Sequence, residues 1–154
     1  MNVKHGTFRA FSLVEMVMVV ALMGVLAAVA APRYTTFLRE QRLDSAERRI
    51  RADLALAQRR ARYLGAAQTM SFVPATHRYS IVGMADPDRV GTTYGVKLTD
   101  EPYGVRLLSA NIGGDGDLVF DGYGAPDTVG SIVIQLGSQT RTINWGLSFT
   151  AWLN

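Results

Sequence analysis

Phe11-Ser12-Leu13-Val14-Glu15 opens the stretch that decides the fold, which runs on to Ala31 as FSLVEMVMVVALMGVLAAVAA with one charge, Glu15. Its 21 residues, at about 1.5 Å of helical rise each, span about 30 Å, the hydrocarbon thickness of a bilayer. Lys4 and Arg9 precede it, and the positive-inside bias then keeps residues 1–10 in the cytoplasm and places everything after Ala31 outside. A cleavable secretory signal is the alternative, with Ala28-Val29-Ala30 as an A-x-A site and a soluble secreted protein as its product. That alternative leaves Glu15 unexplained, because a carboxylate in an apolar run is costly and usually functional.

Beyond Pro32 the helical pattern continues. Leu43, Ala46, Ile50, Leu54, Ala57, Ala61 and Leu64 recur every three or four residues and form one apolar stripe. Arg48, Arg51, Arg59 and Arg62 fall on the far side, and Gly65 is placed as a C-terminal cap. The spacing predicts one helix from Phe11 to Leu64, kinked at Pro32, where an amide hydrogen bond is lost. Nine arginines lie between residues 33 and 62. They read as a solvated face with local pairs such as Glu47 with Arg51, or as a surface for acidic neighbours, anionic lipid headgroups or, more remotely, nucleic acid.

After Gly65 the period shortens to strands broken by turn residues. Thr69–Val73 and Tyr79–Val82 flank a hairpin loop at Pro74-Ala75-Thr76-His77, and Met84 to Thr93 reads as a loop. Tyr103–Leu108 and Leu118–Phe120 read as strands around a glycine-rich turn. Ser131–Leu136, Thr140–Asn144 and Leu147–Leu153 read as a final meander. The expected fold class is α+β, a long N-terminal helix packed on a small antiparallel β-sheet or sandwich. The parts are a leader at 1–10, an apolar helix at 11–31, its amphipathic extension at 32–65 and a β-rich head at 66–154.

The 154 residues are 48% apolar, enough for one core and too apolar for a disordered tail. With no cysteine and only His5 and His77, the chain lacks a thiolate metal site, a cysteine nucleophile and a second downstream imidazole for a hydrolytic triad. His77 is expected to be simply exposed at a loop tip. Asp115 and Asp117 in Gly113-Gly114-Asp115-Gly116-Asp117, with Asp121 nearby, offer oxygen ligands for calcium, although a tight hairpin explains the same residues. No other cofactor is indicated.

Ala10-Phe11-Ser12-Leu13-Val14-Glu15 resembles the processing motif of type IV prepilins and pseudopilins, with Ala10 standing where the family usually has glycine. The resemblance implies that a prepilin peptidase cuts between Ala10 and Phe11 and methylates the new amine of Phe11. It further implies that Glu15 pairs with the N-terminal amine of a neighbouring subunit. Gly24 and Pro32 stand at the offsets of the family's helix glycine and proline. The stretches ALAQRRARYLGAAQTMSF and LVFDGYGAP resemble, more loosely, minor pseudopilins of the GspH/FimT type. On this resemblance the chain is a non-enzymatic subunit of a type II secretion pseudopilus or a type IV pilus. Its expected place is the bacterial inner membrane, crossed once, with the head outside the cytoplasm. Its expected partners are other pilins or pseudopilins, the prepilin peptidase, an inner-membrane assembly platform and the bilayer. A rival reading makes it a DNA-binding minor pilin, with Arg141 or Arg106 as contacts.

Overall fold

A computed structural model describes residues 11–146, the side chains of 29–32 excepted. The expected leader, Ala10 included, and the expected last strand Leu147–Leu153 lie outside the described residues. Helix α1 (Leu13–Leu64) is 52 residues long and contains both Gly24 and Pro32. Ser12 precedes it, and the Ser12 carbonyl accepts the Met16 N–H at 3.1 Å. At the far end Gly65 adopts φ +60°, and Ala66 N–H and Gly65 N–H donate back to the Ala61 and Arg62 carbonyls, both at 3.3 Å. This pair of bonds is a Schellman cap, and glycine permits the left-handed residue it needs.

The chain divides into two compact units, Met1–Leu38 and Arg39–Asn154. In the first, the described side chains of 11–28 and 33–38 are all exposed. An 18-residue window of α1 there is apolar and long enough to cross a membrane, and none of it is buried within the chain.

The second unit holds the rest of α1 and seven strands. Strands β1 (Gln68–Val73), β2 (Arg78–Ala85), β3 (Thr93–Lys97) and β5 (Asp117–Phe120) form an antiparallel sheet in the order β3-β2-β1-β5. Strands β4 (Arg106–Ile112), β6 (Gly130–Leu136) and β7 (Gln139–Trp145) form a second antiparallel sheet in the order β4-β6-β7. One hydrophobic cluster joins the helix stripe from Leu43 to Ala61 with Met70, Tyr79, Ile81 and Leu118 of the first sheet and Leu107, Ile132, Ile134 and Ile143 of the second. The fold is therefore α+β, as the alternation of apolar periods indicated.

Several local readings change. Leu64 is 51% exposed, so the buried stripe stops at Ala61, one turn before the cap sends the chain into β1. The loop expected through Thr93 ends earlier, because Thr93–Lys97 pairs with β2, with Gly95 opposite Ser80. Tyr103 and Gly104 are not strand: both amides donate to the Asp100 carbonyl, at 3.1 and 3.2 Å, which folds them into a turn. Strand β4 instead runs to Ile112. An extra residue at Leu108 shifts its register against β6, which resets the alternation so that Leu107 and Ile112 both face inward. His77 is half-buried, at φ +53°, and its Nδ1 lies 3.0 Å from the Leu107 carbonyl. It links the β1–β2 loop to β4 rather than standing free.

Candidate functional site

Two regions carry the chemistry, one in each unit. In the first, Phe11 is 79% exposed and stands two residues before the start of the helix at Leu13, and Glu15 lies in the first helical turn. Phe11, Ser12, Leu13, Met16, Val17 and Val20 line a shallow apolar groove along one side. At about 100° per residue, Glu15 projects from the opposite side of the helix. A carboxylate in the first turn is favoured by the helix dipole and by amides that lack helical partners. Gly24 sits within the helix with open space around the position a β-carbon would take. Nothing among the described residues therefore accounts for a glycine, which costs a helix roughly 0.5–1 kcal/mol relative to alanine.

In the second unit the helix is fastened to the sheets by a polar network that the stripe reading passed over. Asp53 is 4% exposed. Its Oδ2 accepts the Tyr79 hydroxyl at 2.6 Å and Arg49 Nε at 3.1 Å, while Oδ1 accepts the Tyr94 hydroxyl at 2.8 Å. Arg49 also donates to the Tyr94 oxygen at 2.6 Å. Burial, then the charge of Asp53 and its hydrogen bond, pushes the Tyr79 phenol well above its ordinary value. Burial and then the same carboxylate push Tyr94 up to about 12. Burial pulls the Arg49 guanidinium down, but the charge of Asp53 together with the charge and hydrogen bond of Tyr94 and the charge of Tyr103 outweighs this and leaves it raised. The signal for Asp53 was present in the sequence, as it lies three residues after Ile50 on the border of the apolar stripe.

Further along, Gln58 Nε2 donates to the Gly124 carbonyl at 2.8 Å and Arg62 Nε to the Tyr123 carbonyl at 2.9 Å. Gly124 adopts φ +79°, which glycine takes without strain, and a β-carbon there would displace the Arg62 side chain where helix and turn meet. Arg60 reaches the Gly83 carbonyl at 2.8 Å and Gln68 Oε1, also at 2.8 Å. Arg51 pairs with Glu47 at 2.7 Å, as its spacing indicated. Three of the nine helix arginines, Arg49, Arg60 and Arg62, thus fasten the head, Arg62 while remaining exposed to solvent. Arg141, a candidate nucleic-acid contact, pairs with Asp44 at 3.0 Å.

The candidate calcium ligands serve their own turns. Asp115 Oδ1 accepts the Asp117 amide at 3.0 Å, and Asp121 Oδ1 accepts the Tyr123 and Ala125 amides at 2.9 and 2.8 Å. Among the described residues no three His, Cys, Asp or Glu side chains gather as a metal-binding group. Asp115, Asp117 and Asp121 are not brought together.

No protein-family model and no curated protein matches the sequence. A solved structure does match: the type IV minor pilin FimU of Pseudomonas aeruginosa. It superposes with a TM-score of 0.52 at 15% identity, over 73% of this chain and 88% of that one. The chain has a type IV pilin-like fold. In this chain the fold consists of one long helix and two antiparallel sheets.

Proposed function

We propose that the chain is a minor pilin or pseudopilin that assembles with other pilin-type subunits through its N-terminal helix. The observation that carries this is the apolar span of α1, wholly unburied within the chain and with Glu15 in its first turn. Such a surface has two suitable environments, lipid before assembly and neighbouring helices after it. The peptidase cuts before Phe11, the new amine is methylated, and Glu15 of one subunit meets the ammonium of the next. An ionised carboxylate is costly in lipid, so this pairing sets the register at which each subunit stops. Gly24 allows close approach of a second helix, which the open space around it accommodates. Pro32 bends the helix between its lipid-embedded part and the head. The head lies outside the cytoplasm and forms the fibre surface, and the assembly has no catalytic step.

The test is Glu15→Ala in cells carrying the cognate assembly machinery. The variant is expected in the membrane fraction at normal level and absent from sheared or cross-linked fibres. Incorporation at the unmodified level overturns the role of Glu15 in register.

A further inference from the structure

Around the β6–β7 turn the head presents a concave, positively charged recess that the assembly reading does not use. Its volume is about 300 Å³, and Gly104, Arg106, Gln135, Leu136 and Gly137 line it. Two helix arginines close on the same lining. The Arg39 guanidinium comes within 3.5 Å of the β-carbon position of Gly137, and that of Arg42 within 3.2 Å of the corresponding position on Gly104. Arg106 of β4 thus lines the hollow, and the guanidinium groups of Arg39 and Arg42 lie against two of its lining glycines.

Their charges are poorly compensated. Arg42 has an exposed contact with Glu101 at 3.7 Å. Among the described residues, neither Arg39 nor Arg106 has a carboxylate within salt-bridge distance. Asp44 is paired with Arg141 at 3.0 Å, while Glu40 accepts only the neutral Gln139 Nε2 at 3.3 Å and keeps its charge, one carboxylate near the guanidinium groups of Arg39 and Arg106. A concave surface of one sign concentrates counter-ions more than a flat one does.

We propose that this recess binds a phosphoryl group, supplied either as free phosphate or as the headgroup of an anionic phospholipid. Planar guanidinium forks match the spacing of phosphate oxygens, and a group with several anionic oxygens can accept from more than one fork at once. A single carboxylate has two oxygens and cannot engage three separate forks equally well. The volume admits a phosphoryl group together with part of the molecule that carries it. Gln135, on the same lining, adds a neutral hydrogen-bonding side chain. The inference concerns the head alone and stands whether or not the assembly reading does.

The test uses the full chain in maltoside detergent, which carries no phosphate, at low ionic strength. Inorganic phosphate, short-chain phosphatidylglycerol, short-chain phosphatidylcholine and acetate are each titrated by calorimetry. Phosphate or phosphatidylglycerol is expected to bind saturably, and the Arg39→Gln/Arg106→Gln double variant to bind at least about tenfold more weakly. Arg48→Gln, an exposed control, is expected to bind as the unmodified chain does. Unchanged circular dichroism of the double variant shows that loss of binding is not loss of fold. Phosphatidylglycerol binding well above inorganic phosphate and phosphatidylcholine identifies a lipid headgroup as the source, and the reverse order identifies free phosphate. Four outcomes overturn the proposal: no saturable binding of either, equal weakening by Arg48→Gln, acetate binding as tight as phosphate, or binding of duplex DNA alone when that is added as a further probe.

Discussion

The Tyr79 hydroxyl donates to Asp53 Oδ2 at 2.6 Å, joining β2 to α1 at a point buried from water. With Tyr94 on the other carboxylate oxygen and Arg49 alongside, Asp53 accepts from three groups. The sheet edge is thereby pinned at one height on the helix, a specificity that apolar packing alone does not provide.

Asp53→Ala removes the common acceptor and leaves two phenols and a guanidinium without it. The expected loss is about 3 kcal/mol, since the buried Tyr79 phenol is left without an acceptor and the Tyr94 and Arg49 bonds to the carboxylate go with it. Tyr94→Phe is expected to lose about 1 kcal/mol, the net worth of one hydrogen bond. Urea unfolding of the full chain in detergent, followed by tryptophan fluorescence, measures both. Similar losses for the two variants would contradict the central place of Asp53.

The network also sets an alkaline limit. Tyr94 is pushed up to about 12 and burial raises Tyr79 well above its ordinary value, against about 10 for an unfolded phenol. Between those values the folded chain holds protons that the unfolded chain has lost, so stability falls as pH rises. The contribution is complete below pH of about 10 and disappears as pH passes through about 12. Thermal unfolding recorded across pH 8–12 should show a flat region and then a decline, and Tyr94→Phe should make the decline shallower. A tyrosinate absorbance titration in which all phenols ionise near pH 10 without unfolding contradicts it.

Gly130 begins β6 opposite Trp145. A β-carbon there would overlap the Trp145 ring and lie 2.8 Å from the Asn111 carbonyl oxygen. Gly130→Ala is expected to destabilise the head by roughly 1–3 kcal/mol, as overpacking does. Gly137→Asn, at a turn position with φ +62° and ordinary clearance, is expected to be milder. Paired melting curves check the order.

Processing is tested at the N-terminus. A prepilin-type cut removes Lys4 and Arg9, lowers the formal charge from +3 to +1 and leaves Phe11 as the methylated first residue. Intact-mass and N-terminal peptide spectrometry of membrane-derived protein reads this directly. A chain beginning at Ala31 identifies a conventional signal peptide and removes the assembly proposal.

Much of the architecture was legible because it follows local period. The stripe from Leu43 to Ala61 is buried as its spacing indicated, and Gly65 caps the helix as its position indicated. Strand β3 was not legible, since Thr93–Lys97 has a central glycine and no strong alternation, and its partner β2 supplies what holds it. His77 could not be placed either, because its acceptor, the Leu107 carbonyl, lies 30 residues away.

The sequence by itself determined a long apolar-then-amphipathic helix, a glycine-punctuated antiparallel head and the position of Glu15 in the apolar run. Those features depend on composition and spacing along the chain. Only the tertiary structure decided that Tyr79 and Tyr94 share the Asp53 carboxylate, that Arg49, Arg60 and Arg62 fasten the head, and that Arg39 and Arg42 lie against glycines of the recess that Arg106 lines. A charged side chain reads as solvent-facing until the fold supplies its partners, and here those partners are backbone carbonyls and phenols from strands and turns far along the chain.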